Sequence, residues 1–218
     1  MFPSVQTASS STVSPYVRFN LRRNPFGELT WEERAELAVV ETQPWVDFLR
    51  RPATAVQFIG PCGHGKTTHL LAIARSTPDA VYVHIPEVGP RPATPKRRPL
   101  LIDEAQRLGF WQRHRVFSRG GPLVLGTHDD LSRSLRRSGL DVVTVDVAAD
   151  RSPERLMLIL NRRIEASRLT AADTPRIDLA HAVSLRREFG SDMSKMEQHL
   201  YLQFQQAAKK GLPWPPAS

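Results

Sequence analysis

The segment Gly60-Pro61-Cys62-Gly63-His64-Gly65-Lys66-Thr67 restricts the fold of this chain more than any other, because it fits G-x-x-x-x-G-K-[ST] at every fixed position. It follows the apolar run Ala55 to Ile59 and leads into Leu70, Leu71 and Ile73, the strand-before, helix-after setting that the pattern requires. Glycines let such a loop close tightly, so that consecutive backbone N–H groups point inward at phosphate oxygens. Lys66 adds a mobile positive charge for the β and γ phosphates, and the Thr67 hydroxyl is a hard oxygen ligand suited to Mg²⁺. The helix that follows turns its positive end toward the same anion. Cys62 and His64 fill free positions and read as structural or phosphate-adjacent. The expected ligands are ATP and Mg²⁺, cradled by Gly60 to Thr67 with Thr68 beside them.

Five short apolar runs recur along the chain: Ala55 to Ile59, Val81 to Ile85, Leu100 to Ile102, Leu123 to Leu125 and Val142 to Val147. The second to fourth are continuously apolar, as strands covered on both faces of a parallel sheet would be. The fifth alternates through Thr144 and Asp146, which predicts an edge. The fold class expected is α/β, a P-loop NTPase core with a five-stranded, mainly parallel sheet. Between the second and third runs, Pro86 to Pro99 holds five prolines and a basic Lys96-Arg97-Arg98 cluster. Prolines remove helical hydrogen bonds, so the usual crossover helix is expected to be missing or trimmed there.

The flanks read differently. Residues 1–17 begin Ser-, Thr- and Val-rich without a period, as a disordered lead. Arg23-Asn24-Pro25-Phe26-Gly27 is an extended, turn-rich element. Thr30-Trp31-Glu32-Glu33 has capping-box spacing and should open a helix carrying Leu37, Val40, Trp45 and Phe48 inward. After the α/β core of residues 18–150, residues 151–210 turn fully helical. Ser152-Pro153 caps one helix with Leu156, Ile159, Leu160 and Ile164 on one face. A second helix, about Asp178 to Glu188, stops at Gly190, and a third, about Asp192 to Ala208, turns Met193, Met196, Leu200 and Phe204 inward. A Pro-rich tail occupies residues 211–218.

The third apolar run ends in Asp103-Glu104. An acidic pair at a strand end often caps a helix, but beside a phosphate loop it has a second use. Asp103 would bind the Mg²⁺ water shell, leaving Glu104 to orient and deprotonate an attacking water. The fourth run ends in Gly126-Thr127-His128-Asp129-Asp130, placing Thr127 or His128 to sense the γ-phosphate or hold the water. Asp129 or Asp130 can also cap the next helix, Leu131 to Arg137.

Composition narrows the setting. The formal charge is +8 with a pI near 10.3, most of it from arginine. Such an excess is either a solvated surface or a face for nucleic-acid phosphates, and no compact basic run or aromatic-interleaved patch stands out. A lone cysteine excludes an internal disulfide and agrees with a reducing cytoplasm. No signal peptide is read at the N-terminus, and no apolar run reaches the ~18 to 20 residues that span a bilayer, so a cytoplasmic chain without membrane insertion is expected.

Gly60 to Thr68, followed by Leu101-Ile102-Asp103-Glu104-Ala105-Gln106-Arg107-Leu108, resembles the AAA+ ATPase superfamily. The DEAQ wording is similar to helper ATPases of bacterial transposition and type II secretion and to origin-recognition-type ATPases. Asn24-Pro25-Phe26 resembles the N-terminal box that approaches adenine in such proteins. The resemblance runs in element order over about Arg18 to Ala208. It implies a sheet ordered 5-1-4-3-2, ATP at a subunit boundary of a homo-oligomer, and a helical lid. Ser194 stands where the family's lid arginine is expected, and Lys195 beside it would point about 100° away on a helix. Arg113, Arg115, Arg119, Arg133, Arg136 and Arg137 are candidates for the arginine finger.

Three functions follow as expectations. The leading one is an ATPase that couples MgATP binding and hydrolysis to assembly or to a DNA or DNA-associated protein partner. The others are a nucleotide-gated binding module with little turnover and a P-loop small-molecule kinase. Glu104 weighs against the kinase, since hydrolases need a water-activating base that many such kinases lack.

Overall fold

In the computed structural model, which describes residues 14–96, 98–148 and 152–214, the apolar runs form one sheet. Its strands are β1 (Thr54–Ile59), β2 (Val81–His84), β3 (Leu100–Asp103), β4 (Leu123–Thr127) and β5 (Asp141–Asp146). They lie in the order β2-β3-β4-β1-β5, as the family resemblance implies, and all four pairings are parallel. Ile59 stands opposite Thr127 and His84 opposite Asp103, so the residues after β1, β3 and β4 emerge at one end of the sheet. From β1 the chain crosses toward β2, whereas from β4 it crosses the other way toward β5. Neighbouring strands whose connections diverge leave a crevice at their carboxyl ends, and ligands of such sheets bind there.

The three inner strands are buried along their length because helices cover both faces. On one face α2 (Gln43–Leu49) and α3 (Lys66–Ser76) pack over Val56, Phe58, Leu101 and Val124. On the other, α4 (Phe110–Phe117) and α5 (Ser132–Arg137) cover Ile102, Leu123, Leu125 and Val142. β5 is an edge strand, as its alternation predicts. β2, read as covered on both faces, is the other edge: Val81 and Tyr82 are half-buried and His84 is exposed. It has one neighbouring strand, and the segment after it forms no helix among its described residues. The Trp31 ring partly covers it, with centroids 5.5 Å from Tyr82 and 6.5 Å from His84.

The helix expected from Thr30 through Phe48 is two helices. Thr30 caps α1 (Trp31–Glu36) in a complete capping box, and the helix ends before Leu37. Pro44 has no N–H for the Val40 carbonyl and belongs instead to the first turn of α2. Leu37 and Val40 therefore line a cavity rather than a helix face in the core.

α6 (Pro153–Ala166), α7 (Leu179–Phe189) and α8 (Met193–Lys210) surround Leu160, Leu185, Leu200 and Phe204. Ser152, Asp178 and Asp192 each cap the helix that follows. Leu21, Phe26 and Trp214 complete this cluster. Arg163, buried on α6, donates to the carbonyls of Pro25 at 3.0 Å and Gly27 at 2.6 Å and pairs with Glu197 on α8. It thereby ties the Asn24-Pro25-Phe26 turn to two helices. Of the expected lead over residues 1–17, residues 1–13 lie outside the described residues, and Tyr16 stacks on Phe204 at 5.6 Å. Of the expected tail, residues 215–218 lie outside them too. No helix among the described residues is long and apolar enough to cross a membrane.

Candidate functional site

The loop after β1 wraps the first turn of α3, whose cap, Gly65, has φ 86°. Lys66 is buried, and its ammonium donates to the carbonyls of Gly60 at 2.7 Å and Pro61 at 2.9 Å. His128 Nε2 stands 3.4 Å away. Burial holds the Lys66 ammonium below the usual lysine range, opposed by the carboxylates of Glu104 and Asp103. One turn into the helix, Thr67 Oγ1 donates to Asp103 Oδ2 at 2.6 Å.

Asp103 closes β3 and is almost wholly buried, a position a carboxylate holds only when it is hydrogen-bonded. Besides Thr67 it accepts from the Tyr82 hydroxyl at 2.9 Å and from the Glu104 N–H at 3.1 Å. Burial first, then the Asp103 carboxylate, raises the Tyr82 phenol far above its ordinary range. Glu104 itself turns the chain in the left-handed region, φ 60° and ψ 41°, a sparsely populated state for a residue with a Cβ. Its carboxylate accepts from Gln106 Nε2 at 2.7 Å, pairs with Arg107 at 3.2 Å and lies 3.6 Å from His128 Nε2. Gln106 also accepts from the His128 N–H at 3.2 Å. From sequence Gln106 and Arg107 belong only to the run that carries the family resemblance, with no role of their own; the left-handed turn at Glu104 is what brings them to its carboxylate.

The two candidates after β4 part company. His128 joins Lys66 and Glu104. Thr127 is wholly buried, and its hydroxyl donates to the Asp129 carbonyl at 2.9 Å while accepting the Asp129 N–H at 3.1 Å. That hydroxyl is engaged inside its own turn. Asp130 accepts from the Ser132 N–H at 2.8 Å and from buried Gln57 at 2.6 Å; the cap position of α5 is Leu131, without a side-chain bond, so neither Asp129 nor Asp130 is the cap expected.

A cavity of about 1020 Å³ opens beside the loop. Cys62 to His69 and Glu104 line it, together with Leu37, Val40, Trp45, Ile159 and Met193. A lining that joins loop amides and a buried ammonium to apolar side chains suits a molecule with both a polyanionic and a flat, weakly polar part. Thr67 and Asp103 offer two hard oxygens, a fit for Mg²⁺, which takes few protein ligands and keeps waters and phosphates. No cluster of three or more metal-ligating His, Cys, Asp or Glu residues occurs among the described residues.

The start of α8 closes over the loop. The Met193 N–H donates to the Gly63 carbonyl at 3.2 Å, and His64 bridges Cys62 O at 2.8 Å and Ser191 Oγ at 2.9 Å. Gly63 has φ 77°, and a Cβ there would stand 2.7 Å from Asp192 Oδ1 and 3.0 Å from Ser194 Oγ. Ser194 lines the cavity, whereas Lys195 pairs with Asp192 at 3.3 Å. None of the six candidate finger arginines lines the cavity. Arg113 donates to the carbonyls of Gln106 and Leu108, and Arg119 to those of Thr94 and Pro95.

No protein-family model matches this chain, and no curated protein matches it in sequence. Among solved structures it is similar to Cdc6p from Pyrobaculum aerophilum, at 16% identity and a TM-score of 0.51, over 90% of this chain and 67% of that one. It is also similar to Drosophila ORC bound to DNA, at 13% identity and a TM-score of 0.47, over 97% of this chain and 64% of that one. The chain thus spans about two thirds of the length of either. The likeness to Cdc6p shows the fold, an α/β core with a five-stranded parallel sheet.

Proposed function

We propose that this chain is an ATPase of the AAA+ type that couples MgATP binding and hydrolysis to assembly or to a DNA or DNA-associated protein partner. The observation that carries the reading is the Thr67–Asp103 contact of 2.6 Å, with the Lys66 ammonium and the Glu104 carboxylate beside it. In this reading Lys66 exchanges its bonds to Gly60 and Pro61 for phosphate oxygens, joined there by the loop amides of Gly60 to Thr68. Thr67 and Asp103 would hold Mg²⁺, which would supply neutralisation of the phosphate charge. Glu104, aimed by Gln106 and Arg107, takes a proton from the water that attacks the γ-phosphorus. The bond to the β-phosphate breaks, leaving ADP and inorganic phosphate. His128 is within reach of the same oxygens, with Thr127 holding its turn from below. The base would rest against the apolar side chains of the cavity, which Trp45 and the α6 and α8 residues Ile159 and Met193 help to line.

A homo-oligomer fits this reading, because none of the candidate finger arginines lines the chain's own cavity, and a cytoplasmic setting fits the lone cysteine. Steady-state ATP consumption, measured with and without DNA and against Glu104→Gln, tests it. Consumption that disappears in the variant supports the reading, and phosphorylated small-molecule product in place of free phosphate refutes it. A second reading, a nucleotide-gated binding module with little turnover, is favoured by Ser194 at the lid position and by the Arg107 pairing that holds Glu104.

A further inference from the structure

The segment 86–122 holds eight Lys and Arg residues against three carboxylates, of which Asp103 is buried and Glu104 is paired with Arg107. Its Pro-rich first half is strapped along the helical second half by arginines. Arg107 reaches the Ile85 carbonyl and Glu87, Arg119 reaches the carbonyls of Thr94 and Pro95, and Arg91 lies against Gly109. What this packing leaves outward is unusual. Phe110 is 76% exposed, Trp111 is 79% exposed, and Val88 on the strapped segment is 88% exposed.

The exposed face of α4 has a period. Phe110 and His114, and Trp111 and Arg115, are pairs four residues apart, so each ring sits one turn from a basic group. Val116 and Phe117 take the opposite, buried face. The two rings meet edge to face at 5.3 Å, which leaves ring faces open to solvent. Arg91, exposed, reaches Gly109 at the start of this helix. Core packing does not account for an indole and a phenyl held outward among cations.

We propose that this face, Phe110, Trp111 and Arg115 with Arg91 beside them, is a docking surface for single-stranded nucleic acid. Open ring faces bind unpaired bases by stacking, and the surrounding cations hold the phosphates. Duplex bases are stacked on each other and cannot offer their faces to exposed rings. The surface also has a path to the chemistry: Arg107 touches Glu87 at 3.3 Å and Glu104 at 3.2 Å, so a strand seated here bears on the group that aims the catalytic carboxylate. That last link rests on the ATPase reading; the binding itself does not.

The test uses the full chain without nucleotide and a labelled oligo-dT of about 20 nucleotides, followed by fluorescence anisotropy beside a duplex of equal length. The single strand should bind, and bind more tightly than the duplex. The double variant Phe110→Ala, Trp111→Ala should weaken it about ten-fold or more while keeping the wild-type melting temperature. Arg115→Ala should flatten the dependence of log affinity on log salt by about 0.7, the loss of one phosphate contact. Equal affinity for wild type and double variant, tighter binding of duplex, or loss of self-association with oligonucleotide binding unchanged would each overturn the proposal. A chain that shows no response to MgATP yet binds the strand through Trp111 refutes the ATPase reading and supports this one.

Discussion

Thr67 Oγ1 donates to Asp103 Oδ2 at 2.6 Å, joining the first turn of α3 to the last residue of β3. The contact brings a hydroxyl and a carboxylate from opposite sides of the phosphate loop to the spacing that a small, hard cation can bridge. Thr67→Val keeps the shape and removes the oxygen. The expected outcome is that ATP without magnesium stabilises variant and wild type alike, while added magnesium increases the melting shift in the wild type only. Equal magnesium effects in the two would detach Thr67 from the metal.

Gly126 faces that pair from β4. A Cβ there would stand 2.6 Å from Asp103 Oδ1 and 3.5 Å from Leu70. Gly126→Ala must therefore displace the carboxylate or the strand, an overpacking that costs about 1–3 kcal/mol. Chemical denaturation should show that loss, and MgATP affinity should fall with it. An unchanged magnesium response would mean that Asp103 has room to move without leaving its partners.

Glu104→Gln keeps the size and hydrogen-bonding reach of the side chain and removes the base. We expect ATP binding to persist and turnover to fall by roughly 10²- to 10⁴-fold. Binding by titration calorimetry and phosphate release by a coupled assay separate the two. A variant that turns over like the wild type would remove Glu104 from the mechanism.

Acid sensitivity should trace to Asp130. Hydrogen bonds from Ser132, then from Gln57, hold its carboxyl below the ordinary aspartate value. Gln57 is wholly buried and also donates to Thr144 Oγ1 at 2.7 Å and accepts from the Leu131 N–H at 3.0 Å. A carboxyl that titrates lower in the folded chain contributes stability above the unfolded value of 3.8, and that stability is lost as pH falls through the folded one. Between about pH 5 and pH 3, wild type should therefore lose more stability than Asp130→Asn, whose amide does not titrate. Parallel losses in the two would contradict this.

The parts of the molecule written in local patterns could be read from the sequence. Gly60 to Thr67 announces its loop, the runs ending at Ile59, Ile102 and Leu125 announce inner strands, and Ser152, Asp178 and Gly190 mark helix ends. What could not be read depends on partners distant in the chain. Tyr82 looks like any strand residue until Asp103 is placed opposite His84. Arg163 ties Pro25 and Gly27 to Glu197 across more than a hundred residues, with no local period to reveal it. The two-helix break at Pro44 was legible in principle, since proline forbids the continuous helix that the apolar spacing favours. The aromatic and basic face of α4 escaped for another reason. Its members alternate with buried residues at helical spacing, and only the fold shows which of them face outward.

The central claim is that the loop after β1 grips a triphosphate, and melting curves with and without MgATP test it most directly. At 100 times its dissociation constant a ligand of the folded state adds about 2.7 kcal/mol, a rise of roughly 5 to 11 °C for a chain of this size. We predict that rise for wild type and its absence for Lys66→Ala. No rise for wild type with MgATP, or an equal rise in the Lys66 variant, would contradict the account.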